Sequence, residues 1–209
     1  MYNISYFKEK DKQVVLTFIN KHPFAFLIGC SENSEPVATQ IPMFIDEREG
    51  KLYLSGHIMR GTDHHKAFKK NQNVLAVFTG PHTYVSATWY DNPNQASTWN
   101  YMSVYIKGKI KFLDETGLID NLRKTSLHFE NYNSASPTVY DNLPEDYVNN
   151  LIKMIDAFEI EVTKIDNVFK LSQNRNEESY RNIIKKLEEQ GGDAKLISEE
   201  MKKKINELY

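Results

Sequence analysis

Apolar positions divide the chain into a run of short strands followed by helices. Asp11 to Asn20 (DKQVVLTFIN) sets Val14, Val15, Phe18 and Ile19 at helical spacing, and His22-Pro23 ends the segment. Phe24 to Cys30 (FAFLIGC) is a continuous apolar run of strand length, which predicts a strand buried on both faces. Pro36 to Phe44 alternates loosely and is interrupted by Pro42, so it predicts an edge strand or one with a bulge. Glu49-Gly50 turns the chain into another short strand, Lys51 to Ser55, and together these pieces predict an antiparallel hairpin or meander. A short polar helix is expected over His64 to Lys70. Val74 to Thr79 then reads as a buried strand stopped by Gly80-Pro81, with Tyr84 to Ser86 available to continue the sheet.

Asp91 to Ser97 (DNPNQAS) is a polar loop. Ser103 to Leu113 alternates well, with Val104, Ile106, Ile110 and Phe112 on one side and Tyr105, Lys107, Lys109 and Lys111 on the other. Gly108 in its middle marks a bulge or a barrel corner. At least six strands in the first 113 residues, spaced in this way, predict a small barrel. The second half changes character. Thr116 to Phe129 and Pro144 to Ile155 read as helices joined by a loop rich in Asn, Ser and Pro, and Pro144 sits at a first turn. Phe158 to Ile165 (FEIEVTKI) alternates strictly and should rejoin the sheet. Helices follow over Glu177 to Glu189 and Lys195 to Leu208, separated by Gly191-Gly192. The expected class is α+β, mainly β: an antiparallel barrel of six or more strands with flanking helices, residues 1–165, and a helical C-terminal extension, residues 166–209, packing on it.

The 209 residues suffice for one full domain with a smaller appendage, and 40% hydrophobic content excludes general disorder. A formal net charge of −2 provides no global positive field for nucleic acid or anionic membrane. No apolar stretch approaches the roughly 18 residues needed to span a bilayer, and the charged start MYNISYFKEKDK is unlike a signal peptide. The single cysteine, Cys30, excludes a disulfide framework or a multi-thiolate metal site. A cytoplasmic protein is expected.

Candidate chemistry concentrates in a few places. Between Phe78 and Tyr105 lie Phe78, Tyr84, Trp89, Tyr90, Trp99, Tyr101 and Tyr105, about twice the chain's average aromatic density of 12%. Small polar residues, Ser86, Thr88, Thr98 and Asn100, are interleaved among them. That mixture suits a flat conjugated ligand and equally suits an aromatic core or dimer interface. SGHIMRG (Ser55 to Gly61) offers two glycines for close backbone approach and the donors His57 and Arg60. Lys66 and Lys69 follow on a helix whose first amides are also available to an anion. The same segment reads equally as a solvated turn with a surface arginine. Its spacing is neither a Walker loop nor a Rossmann fingerprint. The adjacent His64 and His65, with His57, lack zinc-helix spacing, and no GxSxG elbow is present. KLSQNR (Lys170 to Arg175) reads either as a turn in which Asn174 caps the next helix, or as a clamp carrying Gln173 and Arg175 toward a ligand.

Five segments, in this order and spacing, resemble the PaiB-like FMN-binding negative transcriptional regulators: PVATQIP (Pro36 to Pro42), GHIMRG (Gly56 to Gly61), YVSATWY (Tyr84 to Tyr90), STWNY (Ser97 to Tyr101) and KLSQNR. The resemblance runs from MYNISYF to the C-terminal helices. It implies a split-barrel fold similar to pyridoxine phosphate oxidase-like proteins, a homodimer with FMN at the subunit interface, and a repressor role. Carried over by residue, it implies that Ala38, Thr39, Gln40, Ile41 and Pro42 present backbone groups to the flavin edge. His57 and Arg60, with Gly61, Thr62 and Lys66 beside them, are implied near the ribityl phosphate. Trp99, Asn100 and Tyr101 are implied to close the site from the second subunit, and Gln173 and Arg175 to reach it from the tail.

The chain departs from the family pattern in three places. Gln40 stands where the family usually has histidine, Ala87 stands in the YVSATWY motif where proline or serine is common, and Thr62-Asp63-His64-His65 replaces an Asn-Pro run. Asp63 is expected to weaken FMN binding unless Arg60 or Lys66 offsets its charge. A flavin-dependent oxidoreductase or a haem-handling enzyme is the alternative, with His57 and Tyr101 as first candidates for proton transfer. Direct DNA binding, which the resemblance brings, is opposed by the charge pattern. Lys164 to Tyr209 carries 10 Lys/Arg against 9 Asp/Glu, and Lys202 to Lys204 reads as a solvated helix face.

Overall fold

A computed structural model describes residues 3–209, so Met1 and Tyr2 of the opening MYNISYF lie outside the described residues. The helices are α1 (Lys12–Lys21), α2 (Asp63–Lys70), α3 (Glu115–Phe129), α4 (Glu145–Leu151), α5 (Glu177–Gln190) and α6 (Gly192–Leu208). The strands are β1 (Phe24–Cys30), β2 (Pro36–Pro42), β3 (Phe44–Arg48), β4 (Lys51–Met59), β5 (Asn73–Val85), β6 (Thr98–Phe112) and β7 (Ile155–Lys170). They form one sheet in the order β2-β1-β5-β6-β7-β4-β3, and the ladders β1/β2, β1/β5, β3/β4 and β4/β7 are antiparallel. The expected α+β class and the six strands before residue 113 are both present.

Two compact units share the chain. One holds Ile19–Phe78 and Tyr105–Ile165; the other holds the stretch up to Phe18, Thr79–Val104 and Asp166–Tyr209. In the first, β4 lies on β7 with Gly56 opposite Phe158, and Leu118 and Leu122 of α3 cover Ile155 and Ala157. Gly108, which the sequence marked as a bulge or a corner, is a point of close approach to β7. A Cβ there would stand 2.4 Å from Ile160 Cγ2 and 2.5 Å from the Glu161 carbonyl, a separation only glycine permits. Gly56 meets the same demand against Phe158 and the Pro42 carbonyl, whereas Gly61 is needed for its left-handed φ of 81°.

In the second unit, α5 and α6 close over Tyr180, whose hydroxyl donates to the Met201 carbonyl at 3.0 Å. Burial pushes that phenol well above its ordinary range. The polar loop after Tyr90 is tied to the start of α5: Ser179 Oγ and Asn176 Nδ2 both donate to the Asp91 carboxylate, at 2.9 and 2.6 Å.

Several boundaries differ from the sequence reading, each for a physical reason. β1 is buried on one face only: Ala25 and Leu27 are fully buried, while Phe24 and Phe26 remain 55% and 40% exposed. Gly80-Pro81 does not stop β5. Strand β1 pairs with β5 over Leu75–Val77, so the missing Pro81 N–H falls beyond that ladder and costs it nothing. β4 continues through Gly56, His57 and Ile58 because these residues pair with β7. β6 starts at Thr98, earlier than its alternation suggests, because Asn100 and Met102 are buried along with Val104. α4 ends at Leu151, and Ile155 joins β7 because it buries its side chain beneath α3. The cap of α5 is Asn176, accepting from the Ser179 N–H, rather than Asn174.

Candidate functional site

The unit built from β1–β4 and α2–α4 carries ten of the residues singled out in the sequence. β2 is an edge strand, as Pro42 suggested, and pairs with β1 in register from Pro36↔Cys30 to Pro42↔Phe24. Alternate residues over Ala38, Thr39, Gln40, Ile41 and Pro42 therefore turn backbone groups away from β1. The Pro42 end of this strand lies against Gly56, since a Cβ on Gly56 would come within 3.0 Å of the Pro42 carbonyl. The ATQIP and GHIMRG segments thus meet.

The turn after β4 is organised around Asp156, at the start of β7. Arg60 Nε donates to Asp156 Oδ1 at 2.7 Å, and Arg60 Nη1 donates to the Lys153 carbonyl at 3.3 Å. His65 Nε2 stands 2.8 Å from Asp156 Oδ2, and Lys69 Nζ stands 3.5 Å from the same oxygen. The Gly61 N–H donates to His65 Nδ1 at 3.1 Å, which assigns the proton of the neutral ring to Nε2 and makes His65 a donor to Asp156. Burial by itself would raise the Asp156 carboxyl, but the hydrogen bonds from His65 and Arg60 and the charges of Arg60 and Lys69 outweigh it. The carboxyl is held below its ordinary range. Arg60 remains half exposed and borders a cleft of about 620 Å³, whose walls include Leu113, Leu118, Ile152 and Lys153.

The start of α2 is not an open anion site. Thr62 Oγ1 accepts from the His65 N–H, and Asp63 Oδ1 accepts from the His64 N–H at 2.7 Å and faces His64 Nδ1 at 3.0 Å. The amides the sequence offered to a phosphate are therefore capped by their own side chains. Hydrogen bonding to His64 holds the exposed Asp63 carboxyl low. Lys66 is exposed on α2. His57 is held apart from this network, its Nδ1 3.0 Å from Oδ1 of the buried Asn121 on α3.

The other unit carries the remaining five residues. Trp99 and Tyr84 are each about half exposed, with ring centroids 6.1 Å apart in an edge arrangement, and Trp99 Nε1 donates to His82 Nδ1 at 3.3 Å. Asn100 is fully buried, accepts from Ser172 Oγ at 3.0 Å and contacts Met201 Sδ at 3.6 Å. Tyr101 is half-buried. Gln173 folds back on its own turn, accepting from the Leu171 N–H at 2.7 Å and donating to the Phe169 carbonyl at 2.5 Å. These bonds brace Ser172 in the left-handed region (φ 62°). Arg175 stacks on Tyr90, 4.0 Å from the ring centroid, and donates to Gln95. Lys170 donates to Thr98 Oγ1 at 2.5 Å, and burial together with the Arg175 charge lowers its pKa.

Sequence reasoning missed Asp156 and Asn121. An acid set among apolar neighbours in MIDAF was a legible flag for a buried, partnered carboxylate. It falls between the helix expected to end at Ile155 and the strand expected to begin at Phe158, three residues after β7 in fact begins.

A phosphorylated flavin needs donors for its phosphate, hydrogen bonds for the ring's polar edge and a flat apolar surface. The half-exposed Arg60 and exposed Lys66, the outward backbone of β2, and the exposed Trp99 and Tyr84 meet those needs in kind. The fold is that of a split-barrel flavoprotein. Comparison with known proteins gives the family: residues 1–164 match the family described as "Putative FMN-binding domain", and the chain belongs to it. It is 32% identical over 206 residues, 98% of both chains, to the protease synthase and sporulation protein PAI 2 of Bacillus subtilis, which makes it a PaiB-type FMN-binding protein. It is also 29% identical over 210 residues to the uncharacterized protein AN0679 of Emericella nidulans, covering 86% of this chain and 83% of that one. Among solved structures, the flavocytochrome Anf3 from Azotobacter vinelandii superposes with a TM-score of 0.59 at 16% identity, covering 87% of this chain and 78% of that one. The FAD and heme binding protein from Mycobacterium smegmatis gives 0.55 at 14% identity, covering 78% and 73%. These likenesses establish the fold. No helix among the described residues is long and apolar enough to cross a membrane.

Proposed function

We propose that this protein is a cytoplasmic homodimer that holds FMN and acts as a negative regulator of the PaiB type. The phosphate lies at the turn formed by Arg60, Gly61 and Thr62, with Lys66 nearby and His57 on the strand leading to it. The polar edge of the isoalloxazine runs along Ala38 to Pro42. Trp99 and Tyr101 of a second copy close the site; Asn100 acts from behind them, buried against Ser172, with Gln173 bracing that turn and Arg175 stacked on Tyr90. The exposed aromatic pair Phe24 and Phe26 on β1 supports the dimer, because a sheet face of this kind left in water is an interaction surface.

The observation that carries the reading is the meeting of an open edge strand, β2, with β4, whose following turn carries a half-exposed arginine. Bound FMN supplies a redox-active ring; the chain's residues orient it and limit water access. The nearly balanced charge of the C-terminal helices supports regulation through a partner or the flavin state rather than by direct DNA contact. Titrating the purified protein with FMN while following flavin fluorescence tests the proposal. Micromolar binding, weakened about tenfold or more in Arg60→Ala, is expected; a wild-type protein that leaves FMN fluorescence unchanged refutes it.

A further inference from the structure

Asp156 is the acceptor on which three separate donors converge: Arg60 from the turn after β4, and His65 and Lys69 from successive turns of α2. Resting on the reading that Arg60 receives the flavin phosphate, we infer that Asp156 is a positioning residue that makes the site selective for phosphorylated over unphosphorylated flavin.

The geometry carries the inference. Both Nε and Nη2 of Arg60 face the same oxygen, Asp156 Oδ1, at 2.7 Å, and Nη1 faces the Lys153 carbonyl. The guanidinium plane is therefore fixed along one edge, while the side chain stays half exposed along the rest. A guanidinium has five N–H groups in a rigid fork, so holding one edge aims the other at whatever approaches from solvent. Asp156 is itself held. It is buried, and its second oxygen is taken by His65, whose opposite nitrogen accepts from the Gly61 backbone. The chain of bonds runs Gly61 N–H to His65 to Asp156 to Arg60 and closes on the peptide next to Arg60.

Within the cluster of Arg60, Lys69 and Asp156 charge does not oppose this role, while Asp114 and Glu115 add two acids to the walls of the adjoining cleft. Lys69 lies 3.5 Å from Asp156, so Arg60 and Lys69 together against one carboxylate leave the cluster with a positive charge. What the carboxylate gives an incoming phosphate is direction for the arginine, its own repulsion being offset by Lys69. A neutral ribityl alcohol gains little from an aimed guanidinium. The effect should therefore appear as discrimination between FMN and riboflavin rather than as general affinity.

The test is to measure FMN and riboflavin dissociation constants by fluorescence for wild type, Asp156→Ala, Asp156→Asn, Arg60→Ala and the Arg60→Ala/Asp156→Ala double variant. Thermal unfolding is recorded for each. The expected result is that Asp156→Ala weakens FMN about tenfold with riboflavin unchanged, that Asp156→Asn falls between, and that Asp156→Ala has no further effect on the FMN-to-riboflavin ratio once Arg60 is gone. A variant that binds both flavins as wild type does, or binds FMN more tightly, overturns the inference while leaving FMN binding intact. Loss of both flavins in parallel marks Asp156 as structural and also overturns it. If Asp156→Ala does not fold, the Asp156→Asn ratio decides. Should wild type bind neither flavin, the reading beneath the inference fails first.

Discussion

Replacing Gly108 by alanine tests the tightest of the described glycine positions. The added Cβ would fall 2.4 Å from Ile160 Cγ2 and 2.5 Å from the Glu161 carbonyl oxygen, more than 1 Å inside ordinary contact. Ile160 is almost fully buried, so its side chain has no solvent to swing into, and the second clash is with backbone that cannot rotate away. Relief requires β6 and β7 to separate locally. Overpacking of this kind costs about 1–3 kcal/mol, and two simultaneous clashes put Gly108→Ala at the upper end. Against this, alanine restricts the unfolded chain and returns about 0.5 kcal/mol. A net loss of about 2 kcal/mol remains. With an urea m-value of about 2 kcal/mol/M, the unfolding midpoint measured by circular dichroism should fall by about 1 M. An unchanged or raised midpoint would mean that the close approach relaxes without cost, and the account of Gly108 would be wrong.

Other consequences are open to measurement. Asn100→Ala leaves Ser172 Oγ without its buried acceptor and should cost about 1–3 kcal/mol in chemical denaturation, although the residue sits in a segment expected to touch ligand. Because the folded Asp156 carboxyl is held below its unfolded value of about 3.9, its contribution to stability is present above that pH and is lost as pH falls through the lower, folded value. Acid unfolding curves of wild type and Asp156→Asn should therefore begin to converge as pH falls below about 4 and meet only below the lowered, folded value. Trp99→Ala, at a site about half exposed, should change the melting temperature little while weakening FMN, as calorimetry and fluorescence titration would show. Phe26→Asp should yield a folded monomer by light scattering if the exposed face of β1 joins two copies, whereas an unaltered dimer would exclude that face.

Local physics was legible where it acts over a few residues. Helical spacing in α1 and the edge character imposed by Pro42 on β2 both follow from neighbours in sequence. The misread features depend on distant partners. Pro81 is harmless because of where β1 stops, Phe24 is exposed because of what does not cover β1, and Ile155 is a strand residue because α3 packs on it. The candidate site divides in the same way. Residue types suited to a phosphate and a flat ring were visible in GHIMRG and STWNY. The 96 residues that separate Arg60 from Asp156 hid the carboxylate that orients the arginine. Asn176 rather than Asn174 caps α5 because Asp91, far earlier in the chain, anchors it.

The unit containing Trp99 is drawn from three remote parts of the polypeptide: the stretch up to Phe18, Thr79–Val104 and Asp166–Tyr209. During synthesis the bonds that tie its middle portion to its last, Asn100 to Ser172 and Asp91 to Ser179, must wait for residues beyond Asp166, a delay characteristic of long-range folding. Premature termination after the FMN-binding family's residues 1–164 would release a chain whose KLSQNR turn, the brace behind Asn100, had never been made.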